Sequence, residues 1–106
     1  MTEGEFLAHC ERVLRTIEEA LDDSGIDVDA SRNGAVLELE FDDGSKIVVN
    51  GNAPVREIWV AARAGGFHFR HQDGRWVDTR SGDALFPSLS RLVEQQCGEA
   101  VAFAGD

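Results

Sequence analysis

The sequence predicts an α+β fold: a two-layer α/β sandwich in which two helices pack on one face of a five- to six-stranded antiparallel sheet. Two observations support this prediction. Apolar residues recur at helical spacing near both ends of the 106-residue chain, and apolar and polar residues alternate between those two segments. Because a run of strands lies between two helices, we expect both helices to cover one sheet face while the other face meets water. Residues 1–106 are expected to form a single domain.

The first helix is predicted over residues 2–23. Thr2 and Glu5 have the spacing of a capping box, and Gly25 is typical of a helix C-terminal stop. The apolar positions of this segment fall on one helical stripe: Phe6, Cys10, Val13, Leu14, Ile17 and Leu21.

The middle of the chain predicts a meander of short strands, because its apolar residues follow a period of two. Turn sequences at 42–45 and 72–74 separate some of these runs. The alternation places Trp59 on the sheet face opposite Ile58 and Val60. The predicted strand segments are 26–30, 36–41, 46–50, 55–60, 67–70 and 76–77.

The second helix is predicted over residues 83–97, where helical spacing returns. Pro87 is tolerated only in a first turn, so the helix should begin nearer residue 86 than 83. Gly98 occupies the expected C-terminal stop position.

The net charge of -10 arises in one part of the chain. Thirteen acids lie in the first 43 residues against Arg12, Arg15 and Arg32, whereas seven acids and seven bases balance after residue 43. Such a field repels nucleic acid and anionic lipid, and it attracts cations or a basic protein surface. We therefore expect neither nucleic-acid binding nor membrane binding.

The remaining motifs favour a cytoplasmic protein that is not an enzyme. The N-terminal segment lacks the apolar core of a secretory signal, and no run approaches the roughly 20 apolar residues of a membrane span. Cys10 and Cys97 lie outside any metal or redox spacing and are predicted to be reduced packing residues. No nucleophile elbow, phosphate loop or zinc motif occurs in the sequence.

Acids crowd the polar face of the first helix and the segment after it. Glu18 with Asp22 and Glu19 with Asp23 are like-charged i,i+4 pairs, and they lie towards the helix end where the macrodipole disfavours negative charge. Carboxylates suit hard cations, and they equally suit a basic protein patch. A solvated helix face, a docking surface and an open metal site therefore remain alternatives. We call this set the acidic ridge: Glu11, Glu18, Glu19, Asp22, Asp23, Asp27 and Asp29.

The predicted outer sheet face carries a second candidate site. Trp59 is expected to be exposed there. The alternation places Val48, Asn50 and Glu57 on the same face, with His68 as a further candidate. Tryptophan is enriched in binding hot spots, so this face is an interface candidate. The alternative is that Trp59 lies flat over neighbouring strands.

Several stretches of the chain resemble the bacterial branch of the frataxin family. Glu57 departs from the family pattern, which commonly has Gln at that position. The resemblance implies the frataxin-like fold, with two helices on an antiparallel sheet, and a role in iron-sulfur cluster biogenesis. The matching stretches are TIEEALDD at 16–23, NGAVLELEFDDGSKIVVN at 33–50, Pro54, IWVA at 58–61, GGFHF at 65–69 and RSG at 80–82.

The same resemblance implies ligands and partners. Iron, as Fe²⁺ or Fe³⁺, is expected to bind weakly on the acidic ridge, and no organic cofactor is expected. A cysteine desulfurase is expected to contact Glu18, Glu19, Asp22 and Asp23 of that ridge, and the iron-sulfur scaffold protein is expected to contact the outer face at Asn50 and Trp59. The protein would act as a regulator or an iron donor.

Two rival functions and an alternative assembly remain. The first rival is ferroxidase or iron-storage activity on the same carboxylates. The second is a metal-independent acidic adaptor. We expect a monomer, with iron-dependent oligomers as the alternative.

Overall fold

The structure is a computed structural model that describes residues 1–103; residues 104–106 of the predicted domain lie outside the described part. Six strands form one antiparallel sheet in the order β1-β2-β3-β4-β5-β6, which confirms the predicted meander. The elements are α1 (Glu3–Ser24), β1 (Val28–Asn33), β2 (Val36–Phe41), β3 (Lys46–Asn52), a short 3-10 helix (Ala53–Val55), β4 (Glu57–Ala62), β5 (Gly65–Gln72), β6 (Arg75–Asp78) and α2 (Leu85–Cys97).

Helix α1 forms as its apolar spacing predicts. The Thr2 hydroxyl accepts a hydrogen bond from the Glu5 amide at 3.1 Å, and the Glu5 carboxylate accepts one from the Thr2 amide at 2.7 Å. This capping box satisfies two amides that the helix leaves unpaired. Gly25 ends the helix with φ 72°, a left-handed conformation that glycine adopts without steric cost. The predicted stripe is buried in full: Phe6, Cys10, Val13, Leu14, Ile17 and Leu21.

Both helices pack on the same sheet face, which confirms the predicted two-layer sandwich. One hydrophobic cluster joins the stripe of α1, the stripe of α2 and the inner face of the sheet. Because side chains alternate along each strand, the opposite face is left to solvent. The buried apolar residues that the strands contribute are Leu37, Leu39, Phe41, Ile47, Val49, Ile58, Val60, Phe69 and Trp76.

The boundaries of several elements differ from or refine the prediction. The run predicted at 55–60 begins only at Glu57, because Val55 lies in the short 3-10 helix and Arg56 adopts a left-handed conformation with φ 54°. The first strand was expected at residues 26–30 but spans Val28–Asn33. The Ser24 hydroxyl accepts a hydrogen bond from the Ile26 amide at 3.3 Å, and this bond holds the chain in a turn before the strand begins. Strand β1 then pairs with β2 along its whole length. Helix α2 begins at Leu85, close to the start that Pro87 predicted.

The segment after α2 completes the core, which the sequence analysis did not predict. Val101 and Phe103 are buried, and the Phe103 ring stacks on Phe86 with 6.5 Å between centroids. Two apolar residues in an irregular segment carry no periodic signal, so only the fold reveals their role. No helix within residues 1–103 has the length and apolarity that crossing a membrane requires.

Candidate functional site

Two acids of the ridge form ion pairs with one arginine of the neighbouring strand. Arg32 of β1 donates to Glu18 at 2.9 Å and also to Glu11, and Glu11 accepts a second hydrogen bond from Arg15 at 2.8 Å. The bond from Arg15, with Arg32 beside it, lowers the pKa of Glu11 below its usual range. Any cation that binds at Glu11 or Glu18 must therefore compete with a guanidinium that is already in place.

The other helical acids of the ridge are free of ion pairs among the described residues. Glu19, Asp22 and Asp23 are exposed, and the last turn of α1 carries no basic residue. A groove of about 550 Å³ runs between this end of α1 and β1. Acids form its rim and apolar side chains its floor; it is lined by Glu18, Glu19, Leu21, Asp22, Gly25, Ile26, Val28 and Ala30.

The two remaining ridge acids lie apart from the helix. Asp29 lies opposite Glu40 in the register of β1 and β2. Its neighbours Val28 and Ala30 lie opposite buried residues of β2 and face the helices. Because side chains alternate along a strand, the Asp29 side chain lies on the outer sheet face. Asp27 lines a different cavity, together with Asp42, Asp43 and Glu99. The ridge is therefore a helical surface with two outlying acids rather than one continuous surface.

The ridge does not contain a preformed chelating centre. Within residues 1–103, no three His, Cys, Asp or Glu side chains converge closely enough to hold a metal ion. Carboxylate oxygens nonetheless match the preference of hard cations for oxygen ligands. The donor set thus fits an open, exchangeable site in which water supplies most of the coordination.

The charge of this helix end is expected to cost stability. Replacing Asp23 with lysine should raise the free energy of unfolding by about 0.5–1.5 kcal/mol at low salt, because it removes the repulsion with Glu19 and places a cation at the negative end of the helix dipole. Urea unfolding with and without about 0.5 M NaCl measures the effect. Asp23→Asn should give about half the gain, and a gain that persists at high salt would contradict the electrostatic origin.

The outer sheet face differs from the expectation of an exposed tryptophan. Trp59 is half-buried, because its ring stacks on His68 of the neighbouring strand with 4.3 Å between centroids and 10° between planes. Asn50 lies directly beside Trp59 in the register of β3 and β4. One face of the indole is thus covered within the chain, and only the other face is available to a partner.

Glu57 fixes the edge of that indole, a role that the sequence analysis did not predict. Its carboxylate accepts hydrogen bonds from Trp59 Nε1 and from Arg70, both at 2.8 Å, and the residue is only 7% exposed. The bond from Trp59, and after it the bond and charge of Arg70, lower the pKa of Glu57, so the carboxylate stays ionised at neutral pH. The strand register that sets Glu57 opposite Arg70 depends on turns, which is why sequence alone did not reveal the pair.

These observations define the class of the protein: a small antiparallel α/β sandwich with an acidic helix face and an ordered aromatic patch. The family described as Frataxin-like domain matches residues 1–99, and the chain belongs to this family. Among curated relatives, the iron-sulfur cluster assembly protein CyaY of Ralstonia nicotianae is 54% identical over 110 residues, covering 100% of this chain and 97% of the relative. CyaY of Paraburkholderia xenovorans is 52% identical over 103 residues, covering 97% and 98%.

Solved structures agree with this assignment. Frataxin from Psychromonas ingrahamii superposes with a TM-score of 0.94 at 35% identity, covering 99% of this chain and 100% of that one. Trimeric frataxin from the yeast Saccharomyces cerevisiae, complexed with ferrous iron, superposes with a TM-score of 0.70 at 25% identity, covering 93% and 88%. The predicted frataxin fold, in its bacterial form, is thereby confirmed.

Proposed function

We propose that this chain is a cytoplasmic, non-enzymatic regulator or iron donor in iron-sulfur cluster assembly that docks on a cysteine desulfurase through the acidic ridge. Membership of the frataxin family supports the pathway, and relatives about half identical to this chain are named for iron-sulfur cluster assembly. Iron is the cargo rather than a fixed cofactor, since the ridge acids are open ligands.

The observation that best supports docking is the groove between α1 and β1. Its acidic rim and apolar floor match the two parts of a lysine or arginine side chain, which buries its alkyl stem and keeps its charged end among carboxylates. Glu19 and Asp22 have no competing ion pair among the described residues. A basic patch on a partner protein therefore fits this surface better than a single metal ion does.

The outer sheet face supports a second contact, to the scaffold protein. Trp59 is held between His68 and Glu57, so its free face is presented in one orientation before binding. Ordering a side chain in advance reduces the entropy lost on association. Asn50 extends this patch toward β3.

The test of the proposed function is the affinity for the cognate cysteine desulfurase at about 0.15 M salt, where unspecific attraction between distant charges is largely screened. Saturable binding with a defined stoichiometry supports the proposal. If the protein shows no saturable binding under these conditions, the desulfurase is not its partner.

Iron binding is tested separately by anaerobic titration with Fe²⁺, followed through amide signals in NMR spectra. Broadening should concentrate at Glu19, Asp22 and Asp23, because the carboxylates of Glu11 and Glu18 are already held by Arg32.

Oxidation of Fe²⁺ by oxygen should proceed no faster in the presence of the protein than in buffer. Turnover that disappears in Glu19→Gln would instead favour the ferroxidase function.

A further inference from the structure

Two histidines face each other at the sheet edge remote from β1. His9 projects from α1 and His71 from β5; their ring centroids lie 4.7 Å apart, with 45° between planes. Trp76 lies against both rings, with centroids 5.1 Å from His71 and 6.3 Å from His9. The pair lines a cavity of about 390 Å³ whose other walls include Arg12 and the buried Phe86. This cavity belongs neither to the acidic ridge nor to the outer face.

The separation of the rings matches two imidazoles bound to one ion. A nitrogen ligand lies about 2.1 Å from a divalent ion and about 1.15 Å from its own ring centroid. If the two metal–nitrogen bonds make an angle of 90°, the two ring centroids are therefore about 4.6 Å apart. At the tetrahedral angle the same distance is about 5.3 Å. The observed 4.7 Å is thus close to the separation expected for two imidazoles on one ion.

The histidine nitrogens are accessible to such an ion. Arg12, which also lines the cavity, donates a hydrogen bond to His9 Nδ1 at 3.0 Å, so an ion at this nitrogen would have to displace the guanidinium. No hydrogen bond holds the His71 ring within the described residues. Arg12 is exposed and can leave this position when an ion takes the lone pair.

We propose that His9 and His71 form a binding site for one divalent transition-metal ion of the Ni²⁺ or Cu²⁺ class, with water completing its coordination. Imidazole nitrogens suit such ions better than they suit the hard cations that carboxylates prefer. The site links α1 to the β5-β6 hairpin, so a bound ion also stabilises the folded state by mass action. This inference does not rest on the proposed function.

Titration with Ni²⁺, which does not oxidise the cysteines, tests the proposal. Ni²⁺ held by two imidazoles and water is octahedral and therefore paramagnetic, so it should broaden the indole NMR signal of Trp76 and the ring signals of His9 and His71. The indole of Trp59, stacked on His68, is an internal control that should stay sharp. Equal broadening of both indoles, or broadening confined to the acidic ridge, would show that the histidine pair does not bind the ion.

Single variants separate the pair from other ligands. His9→Gln and His71→Gln should each raise the Kd for Ni²⁺ by about 10-fold or more, as loss of a metal ligand or its support does. His68→Gln is the matched control and should leave the Kd unchanged. Arg12→Gln should tighten binding, because it removes the competing hydrogen bond to His9. If His71→Gln binds Ni²⁺ as the wild type does, the two-histidine site is wrong.

Discussion

Replacing both Glu19 and Asp22 with lysine is expected to weaken binding to the cysteine desulfurase by about 100-fold, which corresponds to about 2.7 kcal/mol. Both acids are exposed on the rim of the groove, and reversing their charge sets like charges against a basic partner. The fold should be unaffected or slightly stabilised, because lysine suits the C-terminal end of α1. Isothermal titration calorimetry at about 0.15 M salt measures the affinity.

The choice of residues and the control make this result specific. Glu18 is left in place because it holds Arg32 at 2.9 Å, and its reversal would also disturb β1. Asp83→Lys with Glu94→Lys changes the net charge by the same amount on the α2 side, where both acids are exposed. The ion pair that this control loses, Asp83 with Arg91 at 3.5 Å, is a surface pair that contributes little to stability. This control variant should lose less than about 3-fold in affinity, because charges on the α2 side act on the partner only over long distances, where salt screens them. Equal losses in the two variants would mean that net charge, not the ridge, attracts the partner.

The fold was predictable where periodicity and capping chemistry agree. The stripe of α1 and its Thr2 cap predicted the helix and its buried face, and alternation in β2 and β3 predicted the inner face of the sheet. The burial of Phe103 was not predictable, because a short irregular segment has no period. The sequence leaves open whether Trp59 lies flat over neighbouring strands, and it does not identify His68 as the stacking partner, because that depends on the register between two strands.

The candidate site was predictable in composition but not in pairing. The sequence places acids on one side of α1, yet it does not show that Arg32 joins Glu18, 14 residues away, and Glu11, 21 residues away. Nor does it show that Asp29 lies on the other sheet face, because that orientation follows from the register of β1 against β2. Long-range ion pairs and strand register are properties of the folded chain, so they become visible only in the structure.

The close packing of α1 against β3 predicts a large loss of stability when a side chain is added at Gly51. Gly51 of β3 has no side chain, and a Cβ placed there would lie 2.7 Å from the buried Cys10 Sγ of α1. Gly51→Ala should therefore lower the free energy of unfolding by about 1–3 kcal/mol, since the overlap forces the helix away from the sheet. Gly66→Ala is the control: it lies in β5 with no atom within 4 Å of the new Cβ and should change stability by less than about 0.5 kcal/mol.

A double-mutant cycle with Cys10→Ala identifies the cause. Removing Sγ removes the overlap, so Gly51→Ala in the Cys10→Ala background should be nearly neutral, which gives a coupling energy of about 1–3 kcal/mol. Burial raises the pKa of Cys10 to about 11, so its thiol stays protonated and ionisation does not complicate the cycle at neutral pH. Additive effects would mean that Gly51 is required for another reason. Coupling would show that glycine is required at position 51 because α1 packs closely against β3 at Cys10.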